Sequence, residues 1–203
     1  DTPPMEDIFE PVSRFVVTSD VHIRENGDLE SLSRLNAIFD TAYEYSESHT
    51  TYKELDAIFF AGDNTNNGYQ SEQLLFFNTL NSKTKTGTVV RAVMGNHEFY
   101  ATKTNNNSYS EESMVQAPIK FLEYSGYEST DAHLVIDGYH YILLSMDKYK
   151  ENTGLANQYL SQQKLDWLKT ELDLALADDA TGNKPIFVFQ HVPPKDTMLG
   201  SIY

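Results

Sequence analysis

The chain has 203 residues, no cysteine and a formal charge of −15 at neutral pH, with 40% hydrophobic and 12% aromatic residues. That length accommodates one ordinary domain with a sizeable core, and the apolar content excludes a disordered chain. The lack of cysteine excludes disulfides, thiolate metal ligands and a thiol nucleophile, and the acidic charge argues against broad binding to nucleic acid or anionic membranes.

Residues 1–13, which open "DTPPMEDIFEP", read as an extended N-terminal arm, and residues 14–203 as a single domain. "RFVVTSD" (Arg14 to Asp20) has the pattern of a short buried strand. Leu29, Leu32, Leu35, Ile38, Phe39 and Ala42 then recur at helical spacing. "DAIFFAGD" (Asp56 to Asp63) predicts a second strand, "SEQLLFFNTLNS" a second helix, and Val89 to Asn96 a third strand. Met114 to Tyr124 reads as helical, with Pro118 marking its first turn or an interruption. "HLVIDGYHYILLSMD" predicts two strands joined at Asp137-Gly138. "SQQKLDWLKTELDLALADD" predicts an amphipathic helix with Leu165, Leu168, Leu172 and Leu176 on one face, and "KPIFVFQH" a final buried strand. No run approaches the roughly 18–20 apolar residues of a membrane span. Strands alternating with helices, then a hairpin, a helix and a strand, predict an α/β sandwich whose apolar sheets are covered by helices.

Four of the predicted strands share one property: each ends in polar residues of a particular kind. The first delivers Asp20-Val21-His22, the second Gly62-Asp63-Asn64, the third Gly95-Asn96-His97-Glu98, and the last Gln190-His191-Val192. Side by side in a sheet, these groups converge on one rim, where α/β proteins carry their functional loops. Taken singly, each has an ordinary explanation: Asp20 and Asp63 as helix caps, Gly95-Asn96 as a turn, His22 and His191 as rim histidines. Their coincidence points to hard or borderline divalent metals, because carboxylate, imidazole and amide oxygen without sulfur suit Zn, Mn or Fe. Asp63 is the natural carboxylate to bridge two ions, which can hold a hydroxide between them.

In order and spacing, Asp20-x-His22, Gly62-Asp63, Gly95-Asn96-His97-Glu98 and His191 together resemble the calcineurin-like metallophosphoesterase family, from about Arg14 to His191. The resemblance implies a four-layer αββα fold, two sheets flanked by helices, and direct attack on phosphorus by hydroxide held between two divalent metals. It implies that Asp20 and His22 bind the first metal, that Asp63 bridges, and that Asn96 and His191 bind the second. His97 would lie beside a small phosphorylated substrate as a catalytic group, stabilising phosphoryl oxygens or protonating the leaving oxygen.

Two departures from the family pattern stand out. The family's late Gly-His-x-His motif does not follow His191, which leads to the expectation of a C-terminally truncated domain; the alternative is a catalytically degenerate member whose partial metal site serves binding or structure. Asn66 stands where purple acid phosphatases carry a tyrosine and protein serine/threonine phosphatases an aspartate, which disfavours both subgroups. Outside these positions, His49, His133 and His140 receive no function, and Tyr69, Tyr100 and Tyr109 read as aromatics packing their loops onto the domain. Glu98 reads as an acid supporting its neighbours and Trp167 as a packing residue. The missing cysteines and the Asn/Thr/Ser/Tyr-rich loops favour an exported or cell-surface bacterial protein over a cytoplasmic one.

Overall fold

The computed structural model describes residues 10–25, 29–102, 111–152, 155–179, 181–194 and 197. Residues 1–9 of the expected arm, and Tyr109 with most of its Asn-rich loop, lie outside the described residues. Among the described residues no helix is long and apolar enough to cross a membrane.

The first sheet consists of β1 (Phe15–Thr18), β2 (Ala57–Phe60) and β3 (Val89–Ala92) in that order, all parallel. Parallel neighbours need long crossovers, and α1 (Leu29–Glu47) and α2 (Gln70–Lys83) supply them. Register is level across the sheet, Thr18 opposite Phe60 and Phe60 opposite Ala92, so the three strands end abreast.

In β2 every residue is buried, and the period-two alternation of a strand sorts them. Ile58 and Phe60 join Leu35 and Phe39 of α1, Phe76, Phe77 and Leu80 of α2, and Ala117 and Phe121 of α3 (Glu111–Ser125) on one face. Ala57 and Phe59 join the opposite face, where they meet a second sheet.

The second sheet orders β4 (Ala132–Ile136), β5 (Tyr139–Leu144) and β8 (Ile186–Gln190), with β4 antiparallel and β8 parallel to β5. The β4–β5 turn has φ of 52° at Asp137 and 74° at Gly138, the double positive φ of a tight hairpin. Tyr141, Leu143, Phe187 and Phe189 fill the gap between the sheets against Phe15, Phe59 and Val93, and the Tyr141 and Phe187 rings stack at 13°. The sheets are joined at their rim: Met94 N–H donates to Ser145 Oγ at 2.9 Å, and Met146 N–H to the Met94 carbonyl at 3.1 Å. The far face of the second sheet is covered by α4 (Gln162–Asp178). The result is the expected α/β two-sheet sandwich, α1–α3, sheet, sheet, α4.

Three expectations about elements change. Pro118 lies well inside an unbroken α3; Ala117 and Phe121 anchor that helix in the core, and tertiary packing outweighs the lost backbone hydrogen bond. A hairpin of β6 (Lys148–Asn152) and β7 (Leu155–Tyr159) has no counterpart in the predicted elements. The face of α4 is rotated: Leu165 and Leu176 are 41% and 60% exposed, whereas Lys164 and Ala175 are buried.

Polar contacts set that rotation. Lys164 Nζ pairs with Asp131 at 2.9 Å and Asp147 at 3.0 Å and donates to the Ser145 carbonyl at 2.7 Å. Further along α4, Glu171 contacts His133 Nδ1 at 2.6 Å and Asp178 contacts His140 Nε2 at 3.2 Å, while the two imidazoles meet at 2.8 Å. These two histidines are therefore ties between the hairpin and the helix.

Candidate metal centre

Past the level ends of the first sheet, the chain turns within a few residues and the loops zip together. Asp20 N–H donates to the Gly62 carbonyl at 3.1 Å, His22 N–H to the Asp63 carbonyl at 3.1 Å, and Ile23 N–H to the Asn64 carbonyl at 3.0 Å. To do so, Asp20, His22 and Asp63 adopt left-handed backbone, with φ of 57°, 49° and 52°. Non-glycine residues occupy that region at a cost, and such strain concentrates where geometry serves a site. Here it falls on three of the predicted ligands.

Close approach is secured by two glycines. Gly62 has φ of 98°, and a Cβ there would lie 2.8 Å from Gly95 Cα. A Cβ on Gly95 would overlap Asp63 Oδ1 and come within 2.5 Å of the Asp63 amide nitrogen. The β2 and β3 loops thus touch backbone to backbone, and His191 enters from β8 of the other sheet.

Asp63 sits at the middle of the cluster with 3% exposure. Its Oδ1 accepts from the His97 N–H at 2.9 Å, and its Oδ2 lies 3.2 Å from His191 Nε2 and 3.7 Å from His97 Nε2. Burial acts to raise this carboxyl, but the hydrogen bond and charge of His191, with the His97 contacts, hold it below the usual carboxylate range. For His191 burial acts to lower the imidazole, and Asp63, Asp20 and Glu98 outweigh it, so the group is raised.

Two groupings of carboxylate and imidazole can hold a metal among the described residues: His22, Asp63 and His97, and Asp20, Asp63 and His191, each with its ligand atoms within 4.8 Å. They share Asp63. His22 Nε2 lies 3.5 Å from Asp20 Oδ1, and Asn96 Oδ1 lies 3.1 Å from His191 Nε2, so all six predicted site residues come together on one rim. The groupings cut across the family-derived pairing, setting Asp20 with His191 and His22 with His97.

The donor chemistry fits a cation. His191 Nδ1 is committed to the Ala61 carbonyl at 3.0 Å, so in a neutral ring Nε2 carries a lone pair. That lone pair meets two further acceptors, Asp63 Oδ2 and Asn96 Oδ1, and three converging acceptors require a proton or a metal ion between them. His22 Nδ1 is buried without a hydrogen-bond partner, an uncommon condition that a ligated ion would relieve.

Glu98 supports this arrangement from below. Only 1% exposed, it accepts from Thr65 N–H and Oγ1 at 2.9 Å each on Oε1, and from Asp63 N–H at 3.1 Å and Gly95 N–H at 2.7 Å on Oε2. Burial and the charge of Asp63 push its carboxyl up to about 7 against those donors. His97 Nδ1 donates to the Asn66 carbonyl at 2.6 Å. The ring is thus held by backbone, and the side chain at position 66 is not needed to orient it.

Tyr100 makes contacts that its residue type and position do not specify. It packs against the helix-side core as expected of a loop aromatic, but it also accepts from Asn96 Nδ2 at 3.0 Å and lies tilted against His97 at 4.1 Å between centroids. The only local signal was its position, four residues after Asn96.

The calcineurin-like phosphoesterase family matches the chain over residues 13–201. The chain belongs to the calcineurin-like phosphoesterase family. A search of curated proteins finds no match. Membership covers nearly the whole chain and agrees with the two sheets and four helices described above. It places the protein among metal-dependent hydrolases of phosphoesters, and the two ligand groupings are consistent with that chemistry.

Proposed function

We propose that the protein hydrolyses small phosphorylated molecules at this rim, using two divalent ions (Mn, Fe or Zn) held by Asp20, His22, Asp63, Asn96 and His191. The observation that carries the reading is the pair of ligand groupings that share one buried carboxylate, Asp63. When bound, such ions supply charge to a phosphoryl group and a nucleophile from water near neutral pH.

The chain's own groups divide the remaining work. Asp63 holds its Oδ2 toward both histidine edges while Oδ1 is fixed by the His97 amide. With Nδ1 committed to the Asn66 carbonyl, the His97 ring presents Nε2 at the rim. A proton there stabilises phosphoryl oxygens or passes to the leaving oxygen.

The test is release of phenolate from an aryl phosphoester by chelator-stripped protein reloaded with Mn²⁺, beside Asp63→Asn and His97→Ala. The expected result is metal-dependent turnover in the wild type. Asp63→Asn should lose metal and activity together. His97→Ala, which leaves Asp20, His22, Asp63, Asn96 and His191 in place, should keep the metal and slow about 10²–10⁴-fold, whereas metal loss there would make His97 a ligand with His22 and Asp63. Retained metal-dependent activity in Asp63→Asn would overturn the bridging role. Stoichiometric metal with no turnover would favour a binding or structural centre.

A further inference from the structure

We infer that Tyr100 is a positioning residue of this centre, fixing both the Asn96 amide and the His97 ring; the inference rests on the metal-centre reading above. Asn96 can serve a cation only through Oδ1, because its Nδ2 end is a donor. The Tyr100 hydroxyl accepts from Nδ2 at 3.0 Å, which holds the amide plane and leaves Oδ1 aimed at His191 Nε2, 3.1 Å away.

The same residue controls His97. The Tyr100 ring lies 4.1 Å from the His97 ring at an interplanar angle of 33°. His22 also meets the His97 ring edge-on, at 4.4 Å and 72°. With Nδ1 held by the Asn66 carbonyl, the imidazole is fixed by contacts to two rings and one backbone acceptor. Tyr100 is itself placed by the short 3-10 turn His97–Thr102 and by packing against the helix-side core. One phenol therefore couples a proposed metal ligand to the proposed proton-bearing group, its hydroxyl serving Asn96 and its ring serving His97.

The two functions separate by substitution. Tyr100→Phe keeps the ring and removes the hydroxyl; Tyr100→Leu removes both. The first experiment is calorimetric titration of Mn²⁺ into chelator-stripped wild type, Tyr100→Phe, Asn96→Ala and the double variant. Loss of an outer partner of a metal ligand costs about 10–100-fold in affinity, and Tyr100→Phe should weaken one of two Mn²⁺ sites by that factor. On the Asn96→Ala background the same substitution should add nothing. The second readout needs no metal: the His97 ring protons should show a ring-current shift retained in Tyr100→Phe and lost in Tyr100→Leu.

Wild-type Mn²⁺ affinity in Tyr100→Phe, with Asn96→Ala weakened, would overturn the role of the hydroxyl while leaving the metal centre standing. If the wild type binds no Mn²⁺, the metal reading falls and this inference falls with it; if Asn96→Ala binds as the wild type does, the hydroxyl's role falls while the Asp63-sharing groupings stand. An unchanged His97 shift in Tyr100→Leu would overturn the role of the ring.

Discussion

The Asp63 carboxylate and the His191 imidazole face each other across the seam between the two sheets, Oδ2 to Nε2 at 3.2 Å. Asp63 follows β2 of the first sheet and His191 follows β8 of the second, so the centre forms only where both sheets are docked.

The metal-free protein should lose stability as pH rises from about 5 to 8. Asp63 is depressed below its ordinary 3.8, so its contribution is present above that value and is lost as pH falls through the lower folded value. His191 is raised above 6.5, so its contribution is complete below that pH and disappears as pH rises through the folded value. Glu98 is raised from 4.5 to about 7, so between those values the folded state binds more protons and stability falls with rising pH. Thermal melts with chelator at pH 6 and pH 8 should show the higher Tm at pH 6, with a smaller difference in His191→Gln.

Added Mn²⁺ should invert that trend. In the proposed centre, ligation would require His191 and Asp63 without their protons, so binding should strengthen as pH rises. The Mn²⁺-induced gain in Tm should be larger at pH 8 than at pH 6. An equal gain at both values would show that the ion sits elsewhere.

Glu98→Gln should be more damaging than a near-isosteric change suggests. Both carboxylate oxygens accept from N–H donors, Thr65 on one and Asp63 and Gly95 on the other. Either placement of an amide –NH₂ sets a donor against a buried donor, at about 1–3 kcal/mol for each group left unsatisfied. Urea unfolding should show a loss in that range or above. Gly95→Ala should act on the same loop by overlap with Asp63, costing about 1–3 kcal/mol and reducing Mn²⁺ binding.

Lys164→Met should destabilise the docking of α4 and leave the rim unchanged in composition. It strands two carboxylates, Asp131 and Asp147, whose cation is only 6% exposed. Breaking one partner out of a buried ion pair costs about 3–5 kcal/mol, and chemical denaturation is the direct check.

The rim was readable because apolar strands that end level in a parallel sheet leave their next residues side by side, and "AIFF" and "FVVT" carry that apolar signal openly. The β6–β7 hairpin was not, because "KYKEN" and "LANQY" lack the one-sided alternation that marks a half-buried strand. The rotation of α4 was hidden for the opposite reason: a lysine, which a sequence reading assigns to solvent, occupies the buried stripe. Asn66 was read through its side chain, whereas its carbonyl makes the contact with His97. Contacts such as Asn96 to Tyr100 depend on the tightness of a 3-10 turn, which residue types alone do not specify.

The seam also orders events in time. Asp20, His22, Asp63, Asn96 and His97 all belong to the first sheet and its loops, whereas His191 grips the Ala61 carbonyl from 130 positions further along. At about 5–20 residues per second of synthesis, a nascent chain carries five of the six rim groups for on the order of ten seconds before the sixth is made. During that interval Phe15 and Phe59 lack their partners Phe187 and Phe189. Before then those rings can meet only Tyr141 of the second sheet's aromatics named above. Their full burial and closure of the rim both await β8, and in the proposed centre so does any metal ion that uses His191.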